Sequence, residues 1–194
     1  MSIDYYNKNA HAFDFDTAEV DMAPLYQEFL PLLPAGAHIV DAGCGTGRDA
    51  LAFQAQGFRV TAFDASEALV TIAKQRLGSG CVQQTAFLDF SVKQPADAMW
   101  ACASLLHVPF SELPKTFSHL ADQLKRGGLF YCSFKYGDHE VEREGRTFTN
   151  MNEARLQKVI ADSDLSPTKV WISNDARPHR DHDRWLNAVL VKKE

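Results

Sequence analysis

The segment Val40-Asp41-Ala42-Gly43-Cys44-Gly45-Thr46-Gly47 runs out of an apolar stretch, His38 to Ala42, and into a helical pattern that ends near Gly57. A buried strand, a glycine turn and a helix in that order begin a βα unit. Glycine is needed where backbone turns tightly or lies against a ligand with no room for a Cβ. In an open α/β sheet such a turn sits at the carboxyl end of its strand, where ligands bind.

Outward from this loop, strands and amphipathic helices alternate. Phe58 to Phe63, Val82 to Leu88, Ala98 to Ala103 and Leu129 to Phe134 read as the second to fifth strands. Ser66 is placed to cap a helix with Leu69, Ile72, Ala73 and Leu77 on one face and Gly78 at its end. Ser111 is placed to cap another, whose stripe is Leu113, Phe117, Leu120, Ala121 and Leu124 and which Gly127-Gly128 should stop. Leu156, Val159 and Ile160 mark a further helix; Thr168 to Ser173 and Trp185 to Val191 read as closing strands. Met22 to Leu33 has helical spacing that Pro31 and Pro34 end, behind a short helix or arm at Tyr5-Tyr6-Asn7. This order predicts a Rossmann-like, doubly wound α/β fold: seven strands, mostly parallel, with helices on both faces. Residues 1–194 are expected to form one domain, with 1–34 as a helical cap.

The chain has 194 residues, 45% hydrophobic and 23% charged, with a formal net charge of -5. That is ordinary for a soluble globular protein, and the acidic balance argues against duplex DNA as a partner. No stretch reaches the about 20 apolar residues that span a bilayer, and no apolar leader opens the chain, so the expected location is cytoplasmic. Cys44, Cys81, Cys102 and Cys132 show no C-x-x-C spacing. Neither zinc nor a disulfide is expected, and Cys102 and Cys132 fall in apolar runs as core residues. Oligomeric state is left open.

The glycine spacing is G-x-G-x-G, one residue short of the G-x-G-x-x-G that places a helix end on a pyrophosphate. Asp41 precedes it and would repel an anion but not an ammonium or sulfonium. Asp64 ends the second strand, where a carboxylate can accept two hydrogen bonds from a ribose diol. Loop and acid together favour a cationic, phosphate-free nucleoside over NAD.

These residues resemble the class I S-adenosylmethionine-dependent methyltransferases, in particular the smaller bacterial type. The similarity runs from about Tyr5 to Phe134. It rests on the D-A-G-C-G-T-G loop, Phe63-Asp64-Ala65-Ser66, Phe87-Leu88-Asp89-Phe90, Ala103-Ser104-Leu105-Leu106-His107 and Leu124-Lys125-Arg126-Gly127-Gly128. The resemblance implies S-adenosylmethionine as cofactor and S-adenosylhomocysteine as product. It implies that Asp41 and the loop Gly43, Cys44, Gly45 and Gly47 lie along the methionine and ribose. Asp64 would bind the ribose, Ala65 the adenine edge, Asp89 and the Phe90 backbone the adenine amino group. Ala103 would offer backbone near the reacting methyl. Tyr6, with Tyr5, matches an aromatic arm that lids the cofactor, packing on the domain being the other reading. Asp89 has a second reading as a strand-end turn. Arg48 either pairs with the cofactor carboxylate or is a first-turn residue bonded to Asp49 or Asp16.

On the acceptor side, residues 135–152 match the family's variable region, with a hairpin expected from Glu140-Val141-Glu142-Arg143 to Arg146-Thr147-Phe148 across Glu144-Gly145. Lys135 and Tyr136 at its root are candidate substrate residues, or structural ones. His107 is a candidate general base, with loop packing as the alternative. The charged 174–185 stretch is a solvated loop or an anion-binding wall in which Arg177 is the candidate. His179-x-x-His182 lacks a third ligand, so no metal is expected. The expected acceptor is a small molecule; RNA is second. The Asn-Pro-Pro-Tyr signature of amino-group methylation in nucleic acids is absent, Ala103-Ser104-Leu105-Leu106 standing there. A nicotinamide-dependent oxidoreductase and a non-catalytic cofactor-binding module are the rivals of another class.

Overall fold

The computed structural model of the chain describes residues 2–177, 180 and 182–194. His179 and Asp181 of the charged loop lie outside them. Seven strands form one sheet: β1 (His38–Ala42), β2 (Arg59–Asp64), β3 (Val82–Gln84), β4 (Ala96–Ala101), β5 (Leu124–Lys135), β8 (Leu165–Asn174) and β9 (Arg184–Lys192). Their order is β3-β2-β1-β4-β5-β9-β8, the first five parallel and β9 antiparallel to both its neighbours. A separate hairpin, β6 (Glu140–Arg143) with β7 (Arg146–Thr149), stands off the sheet.

Strand alternation splits the core in two. Val40, Met99, Ala101, Phe130, Cys132, Phe134 and Leu190 meet α5 (Leu113–Asp122) and α6 (Glu153–Ile160) on one face. Ile39, Ala98, Trp100, Tyr131 and Val189 meet α2 (Ala23–Phe29), α3 (Arg48–Ala55) and α4 (Glu67–Leu77) on the other. At the centre of that second layer Trp100 stacks on Tyr131 with ring centroids 3.9 Å apart. The doubly wound α/β architecture is as the sequence predicts, including the strand pair at the end.

Several boundaries differ, each for a local reason. The third strand stops at Gln84, and Phe87–Asp89 forms a 3-10 turn. That turn lets Phe90 stack on Phe63 at 4.0 Å while Phe87 meets the same ring edge-on. The fourth strand spans 96–101; it cannot continue because Ala103 takes a left-handed φ of 52° and a 3-10 turn follows. Ser66 caps α4 by accepting from the Leu69 amide, but α5 begins at Leu113 behind Glu112, with no side-chain cap. Gly127-Gly128 does not stop that helix: the helix ends at Asp122 and the glycines lie within β5. A Cβ on Gly128 would fall 2.8 Å from the Lys125 carbonyl, so the pair allows an irregular first part of the strand. The N-terminal arm is a longer helix than expected, α1 (Ser2–Thr17), kinked at Asn9.

Strand order reverses between β1 and β4, which are neighbours although β2 and β3 intervene in sequence. The loops leaving the carboxyl ends of these two strands meet at this switch point, the place where open α/β sheets bind ligands.

Candidate active site

Three glycines with left-handed backbone turn the chain after β1: Gly43 (φ 75°), Gly45 (56°) and Gly47 (86°). Gly43 and Cys44 both donate to the Phe63 carbonyl at 2.9 Å, which binds the loop to the end of β2. A Cβ on Gly43 would fall 2.5 Å from Cβ of Ser104, so the loops after β1 and β4 touch where only hydrogen fits. Ser104 seals the contact by donating to the Ala42 carbonyl at 2.6 Å.

Asp64 is locked at the end of β2. One carboxylate oxygen accepts from the Gly45 amide (3.0 Å), the other from the Ser66 amide (2.9 Å). Burial raises its pKa and these amides work against the rise. Its remaining acceptor positions face a cavity of about 1070 Å³ that extends to the hairpin and to Trp185.

Beneath the loop lies a pair of buried carboxyls. Asp49 accepts from Arg48 Nε (2.6 Å), the Tyr26 hydroxyl (2.7 Å) and Trp100 Nε1 (2.8 Å). Burial alone would raise its pKa, but Arg48 and these hydrogen bonds outweigh it and hold Asp49 ionised. Asp41 is 3% exposed, and one of its oxygens is buried with no partner. Burial first, and then the Asp49 charge, push its pKa well up. The repulsion that the sequence assigns to Asp41 presumes an ionised side chain; burial beside the Asp49 charge favours the protonated one.

Helix α1 roofs this end. Asn7 Oδ1 accepts from the Ser66 hydroxyl (2.7 Å) and Arg76 clamps Asp14 (2.7 Å), so the helix is fastened to α4. Phe13 comes to within 3.2 Å of where a Cβ on Gly45 would stand. At the far rim the Tyr6 hydroxyl lies 2.8 Å from Nε2 of His107, whose Nδ1 lies 2.8 Å from the Thr147 carbonyl of the hairpin. A carbonyl only accepts, so Nδ1 carries the proton and Nε2 accepts from tyrosine. Burial pulls the His107 pKa down to about 4.

The opposite wall carries cations and aromatics. Lys135 lies 5.8 Å from the centroid of Phe148 and 6.0 Å from that of Trp185, and pairs with Asp183 at 3.3 Å. Arg177 gives Nε and Nη2 to the buried Asp175 at 2.9 and 2.6 Å, holding that carboxyl at a pKa of about 2 against its burial. Tyr136 is 42% exposed at the cavity margin.

A family model described as a methyltransferase domain matches residues 15–165. The chain belongs to the methyltransferase domain family. Its fold is the one that S-adenosylmethionine-dependent methyltransferases of known structure share. It is 33% identical over 104 residues to malonyl-[acyl-carrier protein] O-methyltransferase of Serratia marcescens, covering 50% of this chain and 38% of that one. It is 31% identical over 146 residues to trans-aconitate 2-methyltransferase of Paracidovorax citrulli, covering 71% and 54%. The chain thus spans about half the length, or less, of these curated relatives. A Burkholderia thailandensis 1,6-didemethyltoxoflavin-N1-methyltransferase, solved with that compound and S-adenosylhomocysteine, shares the fold at 19% identity and a TM-score of 0.80, covering 99% of this chain and 87% of that one.

Within this methyltransferase, most residues singled out in the sequence meet around one cavity: Tyr6, Asp41, Gly43, Cys44, Gly45, Arg48, Asp64, Ala65, Ala103, His107, Lys135, Tyr136 and Arg177 all contribute to its wall. Three do not. Asp89 is exposed on the outer side of the 3-10 turn, and Thr85 and Phe87 stand at the wall instead. Phe90 is buried under Phe63. Gly47 faces α4, where Leu77 and Ala73 leave no room for a Cβ. Arg48 donates to Asp49 and to the Thr17 carbonyl while also standing at the cavity wall. The sequence reading missed the Asp49 network, Asn7, Phe13 and the cavity face of β7. The hairpin pattern carried a signal for β7, since Arg146 and Phe148 share one parity.

Proposed function

We propose that this domain methylates a small-molecule acceptor with S-adenosylmethionine, leaving S-adenosylhomocysteine. One observation carries the reading: a cavity of about 1070 Å³, just above the about 300–1,000 Å³ of small-molecule sites, is roofed by the Tyr6–His107–Thr147 chain. It has room for a nucleoside and a compact acceptor, and the roof stands across the path of a polymer. The curated relatives are named for transfer to malonyl-acyl carrier protein and to trans-aconitate.

The cradle fits the cofactor. Asp64, fixed by two amides, has acceptors left for a ribose diol. Gly43 and Gly45 give close backbone approach, and the unpartnered oxygen of Asp41 suits a positive centre. Ala65, Thr85 and Phe87 would flank the base, and Tyr6 and Phe13 would cover the sugar and sulfonium side. When bound, S-adenosylmethionine supplies a methyl group already activated by sulfonium charge. The chain's own task is to align the acceptor and exclude water. His107 is a weak base near neutral pH, with Nε2 already accepting from Tyr6, so its first task is to hold the roof closed.

The test is calorimetry with S-adenosylmethionine, S-adenosylhomocysteine and NAD, followed by transfer of labelled methyl from S-adenosylmethionine into cell extract split into small molecules and RNA. Micromolar binding of the first two and label among the small molecules are expected. Label in RNA would replace the acceptor class. Binding with no label in any fraction would favour the non-catalytic module, and tight NAD binding the oxidoreductase.

A further inference from the structure

Strand β7 presents alternate residues to the cavity. Arg146 and Phe148 line it, as does Asn150 just beyond the strand, while Thr149 is fully buried, its hydroxyl donating to the Val108 carbonyl. Residues two apart on a strand are about 6.8 Å apart, which sets the spacing of Arg146 and Phe148 along the wall. Two atoms in this row are unmet: Nε of Arg146 and Oδ1 of Asn150 are both buried without a partner.

The cations around the cavity differ in how fully they are satisfied. Arg177 is neutralised by a buried carboxylate that takes two of its nitrogens. Arg146 is not. Its guanidinium lies over Tyr5 at 3.8 Å and near Phe148 at 5.2 Å, which holds the fork in place. Its carboxylate partner is Glu144 at 2.7 Å, on the hairpin turn and 68% exposed. With Glu144 largely in solvent, although Arg146 is mostly covered, the carboxylate can be exchanged for another. Lys135 stands near the same Phe148 ring at 5.8 Å. An aromatic surface thus lies between two cations, one of them holding a buried donor in reserve.

We propose that β7 and Lys135 form the acceptor subsite and that the acceptor is a small organic acid with a flat body. Its carboxylate takes the Arg146 fork from Glu144, its body lies on Phe148 near Lys135, and a polar group reaches Asn150. A planar carboxylate matches a single guanidinium fork. A phosphate dianion fits less well, because Glu144, Asp175 and Asp183 also stand at this wall. The inference rests on reading the cavity as a methyl-acceptor site.

The test titrates protein saturated with S-adenosylhomocysteine with benzoate, benzamide and phenyl phosphate, followed by calorimetry. Benzoate should bind at least tenfold more tightly than either analogue. Arg146→Gln should erase that preference, Arg146→Lys should keep part of it, and Glu144→Gln should tighten benzoate severalfold, thermal melts showing that each variant folds. Equal binding of benzoate and benzamide, absent benzoate binding, or a preference that survives Arg146→Gln would overturn the subsite. Failure of the protein to bind S-adenosylhomocysteine at all would instead strike the function on which it rests.

Discussion

The Tyr6 hydroxyl and Nε2 of His107, 101 residues apart in the chain, stand 2.8 Å apart and close the cavity between the first helix and the hairpin. The Thr147 carbonyl fixes the tautomer that makes this bond possible, so three segments depend on a neutral ring.

That dependence sets a pH response. The folded value of His107, about 4, lies below the ordinary 6.5. Its contribution is therefore complete above the ordinary value and is lost as pH falls through about 4. The amount is on the order of 3 kcal/mol. Thermal melts between pH 7 and 4 should show this acid loss, and it should shrink in His107→Phe. Tyr6→Phe should cost about 1 kcal/mol at neutral pH. An unchanged acid profile in His107→Phe would place the titration elsewhere.

Under the proposed function Asp64 would offer the cofactor acceptors that the Gly45 and Ser66 amides have already oriented. Two hydrogen bonds to a charged group are worth roughly 3 kcal/mol or more together. Asp64→Ala should weaken S-adenosylhomocysteine at least about a hundredfold by calorimetry. A loss of tenfold or less would mean that the ribose is held by other groups.

Asp41 should oppose stability and binding to one another. Its folded pKa is raised by burial and by Asp49, so its contribution to stability is complete below the ordinary carboxyl value and declines as pH rises toward the folded one. Asp41→Asn should stabilise the free protein at neutral pH by about 1 kcal/mol, some 2–4 °C in Tm. It should also weaken S-adenosylmethionine more than the uncharged S-adenosylhomocysteine. Wild-type binding of the sulfonium should release protons, visible as a binding heat that depends on the buffer. Equal weakening of both nucleosides would show that Asp41 does not sense the charge.

Gly43→Ala combines a left-handed backbone with a Cβ inside Ser104. The cost should be about 3 kcal/mol, or roughly 6–12 °C in Tm. Ser104→Gly in the same chain should recover part of it, although it forfeits the bond to the Ala42 carbonyl. Strict additivity in a double-mutant cycle would mean that the loops separate rather than collide.

The elements that local pattern specifies were the ones legible in the sequence. Glycines after a buried strand marked the tight loop that follows β1. Glu144-Gly145 marked a tight turn and both residues do take positive φ, 53° and 72°. Asp64 was visible because strand end and acid coincide. What stayed hidden depends on partners far along the chain. Asp49 is indistinguishable from a first-turn helix acid until Tyr26 and Trp100 arrive from 23 and 51 residues away. The outward turn of Asp89 follows from Phe90 finding the Phe63 ring, and the Gly127-Gly128 irregularity from how β5 meets β4. Whether a cavity cation is already satisfied, the difference between Arg177 and Arg146, is a property of neighbours and not of composition.

The strand order also governs assembly in time. The edge strand β8 reaches the sheet only through β9, which is synthesised after it and lies between it and β5. Until Arg184–Lys192 has left the ribosome, β5 presents an open row of amides and carbonyls beside Phe130, Tyr131 and Phe134, side chains that are wholly buried in the finished protein. The nascent chain therefore carries an adhesive flank from the completion of β5 until Lys192 follows it, and that vulnerability to misassociation ends with the insertion of β9.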